Sequence, residues 1–127
     1  WQVIFLSKIN VKMILKTSDE IYEYAGKGIK KDNKIIFNDE GVKTIITLGD
    51  VVYLERKSDY YIKLGFCINK NMHTTYNSPE GCMDIYTDTY LVKKENDMIN
   101  IRYKEYIGEM FIGDFDLFFK FGIDSLK

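Results

Sequence analysis

The stretch Lys34–Lys57, KIIFNDEGVKTIITLGDVVYLERK, holds three short apolar-rich runs separated by Asn38-Asp39-Glu40-Gly41 and by Gly49-Asp50. Short runs of this kind, bounded by Gly, Asn and Asp, read as antiparallel strands joined by tight turns. The Gly49-Asp50 pair suggests a two-residue hairpin. That register sets Leu48 against Val51, Ile46 against Tyr53 and Lys43 against Arg56.

Outward from this stretch, period-two alternation recurs and helical periodicity is nearly absent. Val11, Met13 and Leu15 alternate with Lys12 and Lys16, and Ile99, Ile101 and Tyr103 alternate with Asn100, Arg102 and Lys104. Met83, Ile85, Thr87, Thr89 and Leu91 share one face opposite Asp84 and Asp88, while Phe115, Leu117, Phe119 and Phe121 oppose Asp116 and Lys120. Such patterns put one face in a core and the other in water. Turn chemistry falls between the runs, at Lys31-Asp32-Asn33, Ser78-Pro79-Glu80-Gly81 and Lys94-Glu95-Asn96-Asp97. The predicted strands are 9–16, 20–30, 34–38, 42–48, 51–57, 60–68, 72–77, 82–93, 98–107 and 114–122. A meander this long closes on itself, because closure removes unpaired edges. The expectation is an all-β, antiparallel up-and-down barrel of about 8–10 strands; a two-sheet sandwich is the alternative. Gly26, Gly28, Gly65 and Gly108 fall where bulges or bends at barrel corners belong.

With 127 residues the chain is long enough for one core, so residues 1–127 read as a single barrel domain. A chain opening on Trp1 implies missing preceding residues, or a disordered or added segment over residues 1–8. The ten Tyr and eight Phe suit half-buried strands. The 18 basic and 19 acidic residues nearly cancel, which gives no electrostatic reason to expect nucleic acid and is permissive for a homodimer. The opening apolar run stops at Ser7-Lys8, short of the ~18 residues of a membrane span. It also lacks the marks of a secretory signal, so the cytoplasm is the expected compartment, with no membrane partner. There Cys67 and Cys82 are expected as unbonded core thiols. With His73 they are too few for a structural zinc site, which needs about four ligands. No metal and no cofactor is expected.

Gly28 to Phe37, Asp39-Glu40, Val42-Lys43-Thr44 and Leu54-Glu55-Arg56 resemble the YwiB-like bacterial proteins, an uncharacterised family with a lipocalin-like (calycin) barrel. The pattern has a Gly, a strand ending in aromatic and acidic residues, a Lys-Thr pair and a strand closing on Arg. Gly81, Thr87 and Tyr103 also fall at places where that family carries Gly, Thr and Tyr. The resemblance spans Val11 to Phe121, with Asn38 where the family usually has Tyr and Ser58 where it often has Gly. It implies a fold with a ligand-sized interior and says nothing of chemistry.

Candidate site residues come from the charges and phenols. Lys43 facing Arg56 would repel across a strand pair unless an anion lies between them, and Asp39 or Glu40 at the preceding turn is the internal candidate. This is either a rim salt-bridge cluster or a grip for a carboxylate or phosphate. Tyr53, Tyr86 and Tyr103 either pack the core or line a pocket. The expected ligand-binding set is therefore Arg56, Lys43, Glu40, Tyr53 and Tyr103. His73 has no nucleophile elbow to serve, Gly26-Lys27-Gly28 lacks phosphate-loop spacing, and no enzyme is expected. Phe118, facing away from the other Phe residues, suggests a self-association edge. The leading function is non-enzymatic binding of a small apolar or anionic ligand. The alternative is an interaction or structural barrel with a filled interior.

Overall fold

The computed structural model describes residues 6–123. Ten strands follow in chain order: β1 (Leu6–Lys16), β2 (Ile21–Lys31), β3 (Lys34–Asp39), β4 (Val42–Thr47), β5 (Val52–Lys57), β6 (Tyr61–Phe66), β7 (Asn71–Ser78), β8 (Gly81–Lys94), β9 (Met98–Ile107) and β10 (Met110–Ile123). Each pairs antiparallel with its chain neighbours, and β1 pairs with β10, so the sheet closes. This is the all-β up-and-down barrel that the alternation predicts, consistent with a lipocalin-like type. Among the described residues there is no helix long and apolar enough to cross a membrane. Because β1 begins at Leu6, residues 6–8 are strand rather than a loose tail; residues 1–5 lie outside the described residues.

The turns obey local chemistry. Between β3 and β4, Glu40 (φ 50) and Gly41 (φ 86) are both left-handed, the backbone that a two-residue hairpin demands. The β4–β5 turn corrects the expected register. The Leu48 amide donates to the Asn33 carbonyl at 2.8 Å, and Asn33 Nδ2 donates to the Leu48 carbonyl at 2.9 Å. Both backbone groups of Leu48 are thus spent on the neighbouring hairpin, so Leu48 cannot close a tight pair with Val51. The loop lengthens and Thr47 faces Tyr53 instead. A slip of one residue turns every side chain to the other surface. Arg56 therefore lies opposite Thr44, while Lys43 lies opposite Lys57.

At the other end of the chain, β10 starts at Met110, four residues before the predicted 114, because Gly108-Glu109 makes a tight turn with Gly108 at φ 59. Met110, Phe111 and Ile112 are all exposed, so no alternation marks them. Strand β10 is paired on both sides, with Phe118 opposite Ile14 and Asn100, so it is not the free edge that Phe118 suggested. Both cysteines are free, but Cys82 is exposed rather than a core thiol.

The interior is packed along most of its length by Ile35, Ile46, Phe66, Ile101, Leu117, Phe119 and their neighbours, all nearly inaccessible. The β6–β7 seam has only two residue pairs, Tyr61 with Asn77 and Ile62 with Tyr76. Beyond them the Thr74 hydroxyl of β7 donates to the Lys63 carbonyl, and the Thr87 hydroxyl of β8 reaches past β7 to the Gly65 carbonyl, so side chains bridge where the backbone ladder ends. Gly28 sits between Ile9 of β1 and Phe37 of β3. A Cβ there would meet Val11 Cγ2 at 2.8 Å and the Ile36 carbonyl oxygen at 2.9 Å. Gly28→Ala is therefore expected to lower the unfolding free energy by about 1–3 kcal/mol. Denaturant titration checks this, and an unchanged midpoint would contradict the close approach.

Candidate functional site

Three inward rows end in an ionisable side chain at the same end of the barrel. They are Ile35-Phe37-Asp39 on β3, Val52-Leu54-Arg56 on β5 and Ile101-Tyr103-Glu105 on β9. That end carries the β1–β2, β3–β4, β5–β6, β7–β8 and β9–β10 turns. Asp39 is only 1% exposed. Arg56 Nη2 donates to Asp39 Oδ2 at 3.0 Å, and the Tyr22 hydroxyl donates to the same oxygen. The Arg56 guanidinium also lies over the Tyr22 ring, 6.0 Å from its centroid. Burial first, and then the Asp39 hydrogen bond and charge, raise the Tyr22 phenol above its usual range and keep it a donor. Arg56 Nε is buried and has no hydrogen-bond partner among the described residues.

Glu105 stands inside the mouth, opposite Thr87 of β8 and Gly113 of β10. The β10 register shifts between Phe111 and Gly113, a bulge that sets a residue without a side chain beside the carboxylate. Glu105 is half-buried, and no hydrogen bond or ion pair reaches its carboxylate among the described residues. Burial alone pushes its pKa up from 4.5. Tyr103 is 2% exposed and packed between Phe66 (ring centroids 4.6 Å) and Phe115 (5.2 Å). Burial, with a smaller push from Glu105, raises its phenol. These groups border a cavity of about 230 Å³ with Arg56, Glu105, Tyr60 and Tyr103 on its polar side. Leu15, Leu54, Leu64, Phe115 and Leu117 form its apolar side. A larger depression of about 570 Å³ near Lys12 and Gly26 is an open groove on the outer wall.

Of the expected site residues, the structure brings Arg56 and Tyr103 together at this mouth. Asp39 is the anionic partner of Arg56; Glu40 is exposed in the turn and does not contact it. Lys43 is exposed beside Lys57, and Tyr53 lies on the outer wall with Lys63 Nζ 4.5 Å from its ring centroid. Tyr86 is also on the wall, stacked on His73 at 4.7 Å. His73 Nε2 lies 2.9 Å from Asp84 Oδ1, and both are exposed. No three His, Cys, Asp or Glu side chains among the described residues come together as metal ligands. Sequence reasoning missed Tyr22 and Glu105. The signal for Glu105 was present, since it continues the inward row Ile99-Ile101-Tyr103 by one more step of two.

The profile of DUF1934, a domain of unknown function, matches residues 9–118. The chain belongs to the DUF1934 family. Its fold is shared by the ywiB protein from Bacillus subtilis in the crystal structure of that protein. The TM-score is 0.71 at 18% identity, over 96% of this chain and 94% of that one. That identity speaks for the barrel alone. No curated protein matches the chain.

Two outcomes follow from the mouth. Arg56→Ala strands a buried carboxylate and is expected to cost about 2–4 kcal/mol, discounted because Arg56 keeps 25% of its side chain exposed. A double-mutant cycle with Asp39→Ala measures the coupling, and additive losses would contradict it. Glu105 has a folded-state pKa above 4.5, so the native protein holds a proton that the unfolded chain has already released. Stability is then lost as pH rises from about 4.5 through the folded pKa. Glu105→Gln removes that loss. Its unfolding free energy is expected to match wild type near pH 4 and exceed it at pH 7; parallel pH profiles would contradict the burial of the charge.

Proposed function

We propose that this barrel is a non-enzymatic binding module that holds a small ligand in its turn-end mouth. One observation carries the reading: an apolar-lined cavity, open at the mouth, that Arg56 and Glu105 both border without pairing with each other. Ligand pockets have this composition, an apolar lining with a few convergent polar groups that fix orientation. At about 230 Å³ the cavity is smaller than most such pockets. With about 30 Å³ per water-sized group, it accepts roughly eight non-hydrogen atoms. The Arg56 guanidinium is tied to Asp39 and no nucleophile borders Glu105 in the lining, which favours binding over turnover. A cytoplasmic setting is supported by the two unbonded cysteines, and a water-facing wall by exposed Lys12, Lys27, Asp84 and Lys104.

A second reading has its own support. The same end exposes Ile21 (65%), Met110 (61%) and Phe111 (54%), which suits an interaction barrel that docks a protein through its turns. A thermal-shift screen of molecules of about eight heavy atoms separates the two. A ligand at 100 times its dissociation constant adds about 2.7 kcal/mol of stability. The expected result is stabilisation of wild type that disappears in Leu15→Phe, which fills the cavity. A shift that survives Leu15→Phe would move the ligand elsewhere, and a screen with no shift would favour the interaction reading.

A further inference from the structure

We infer that the mouth selects a ligand with a cationic ammonium head, held by the Glu105 carboxylate against the rings of Tyr60 and Phe115. This rests on the reading of the mouth as a ligand site and names the chemistry that the site prefers. It also reverses the anionic preference that the sequence suggests.

The charges decide the sign. Arg56 brings one positive charge and Asp39 one negative, and their bond at 3.0 Å makes that pair neutral overall. Tyr22 spends its hydroxyl on the same Asp39 oxygen. Glu105 is left as the cavity's uncompensated charge, so the three ionised groups together sum to one negative charge. An anionic ligand would have to share Arg56 with Asp39 and approach Glu105 with like charge. An ammonium meets neither obstacle at Glu105, and the Arg56 charge that it also approaches is offset by Asp39. The ammonium also matches by hydrogen-bond inventory, since an ionised carboxylate only accepts and an ammonium only donates.

The aromatic walls add to the preference. Tyr60 and Phe115 line the cavity, and Tyr103 stacks on one face of Phe115 at 5.2 Å and holds that ring in place. Ring faces attract a nearby cation, and aromatic cages with a carboxylate are the usual means of binding alkylammonium groups. Gly113, opposite Glu105 beside the β10 bulge, carries no side chain and so makes room for the Phe115 ring, which lies 3.3 Å from where a Cβ would stand. The upward push on the Glu105 carboxyl comes from burial with no relief from a neighbouring cation, which agrees with a site built to receive one.

The test uses three probes with the same six-carbon chain, small enough for the cavity: hexylamine, hexanol and hexanoate. Methyl chemical shifts of Leu54, Leu64 and Leu117 report their binding to the whole protein. The expected result for wild type is hexylamine at least tenfold tighter than hexanol and hexanoate. Glu105→Gln should bring hexylamine down to the level of hexanol while leaving hexanol within about twofold. This variant is expected to be at least as stable as wild type at neutral pH, so misfolding does not confound it. Phe115→Leu keeps the wall apolar but removes a ring, and should weaken hexylamine several-fold more than hexanol. If hexanol or hexanoate binds as tightly as hexylamine, or if the amine preference survives Glu105→Gln, the inference is overturned and the ligand site stands. If none of the three perturbs the cavity methyls, the ligand site itself is overturned.

Discussion

Closure of ten antiparallel strands leaves each side chain two places to go, the interior or the outer wall, and gives the interior only two exits. Every inward row must therefore end at a mouth. In this barrel the rows are apolar through the middle and become ionisable at the turn end, at Asp39, Arg56 and Glu105. Burying a charge costs several kcal/mol unless it is paired, so the arrangement at that mouth cannot be neutral for the fold. Asp39 meets the constraint fully, with Arg56 and Tyr22 donating to one oxygen. Glu105 does not meet it at all.

That contrast separates two kinds of group within a single mouth. The Asp39–Arg56–Tyr22 group ties β3, β5 and β2 across the interior and behaves as scaffold. Glu105 borders a cavity with aromatic and aliphatic neighbours, and burial without a cationic partner pushes its carboxyl up. A Gln or Leu at this position would avoid the cost. A charged group without a structural partner is what the proposed ligand site requires. The bulge at Phe111–Gly113 places a residue without a side chain opposite Glu105, and the Phe115 ring takes the room this leaves.

Much of this was legible in the residues. All ten strands are marked by apolar-rich runs between turn signals, four of them by clear alternation, and closure follows from the number of hairpins. The β3–β4 turn announces itself through Glu40-Gly41, and Asp39 through its place beside that turn. The β4–β5 register was not legible, because Gly49-Asp50 has the composition of a tight turn. What lengthens the loop is a distant contact, the two bonds from Leu48 to Asn33. From that slip followed the misplacement of Lys43 and Tyr53 at the mouth. Glu105 was readable as the next step of the β9 row but looks, by residue type, like solvent-facing charge. Tyr22 was hidden because its role depends on Asp39, seventeen positions away in sequence.

The claim on which the rest turns is that Glu105 is a desolvated carboxylate without an ionic partner inside the mouth. Carbon-13 NMR of its side-chain carboxyl, followed through a pH titration of the intact protein, measures this directly. The account predicts a midpoint above 4.5 in the ligand-free protein. A midpoint at or below 4.5 would show that water or a cationic side chain already satisfies Glu105, and would contradict it.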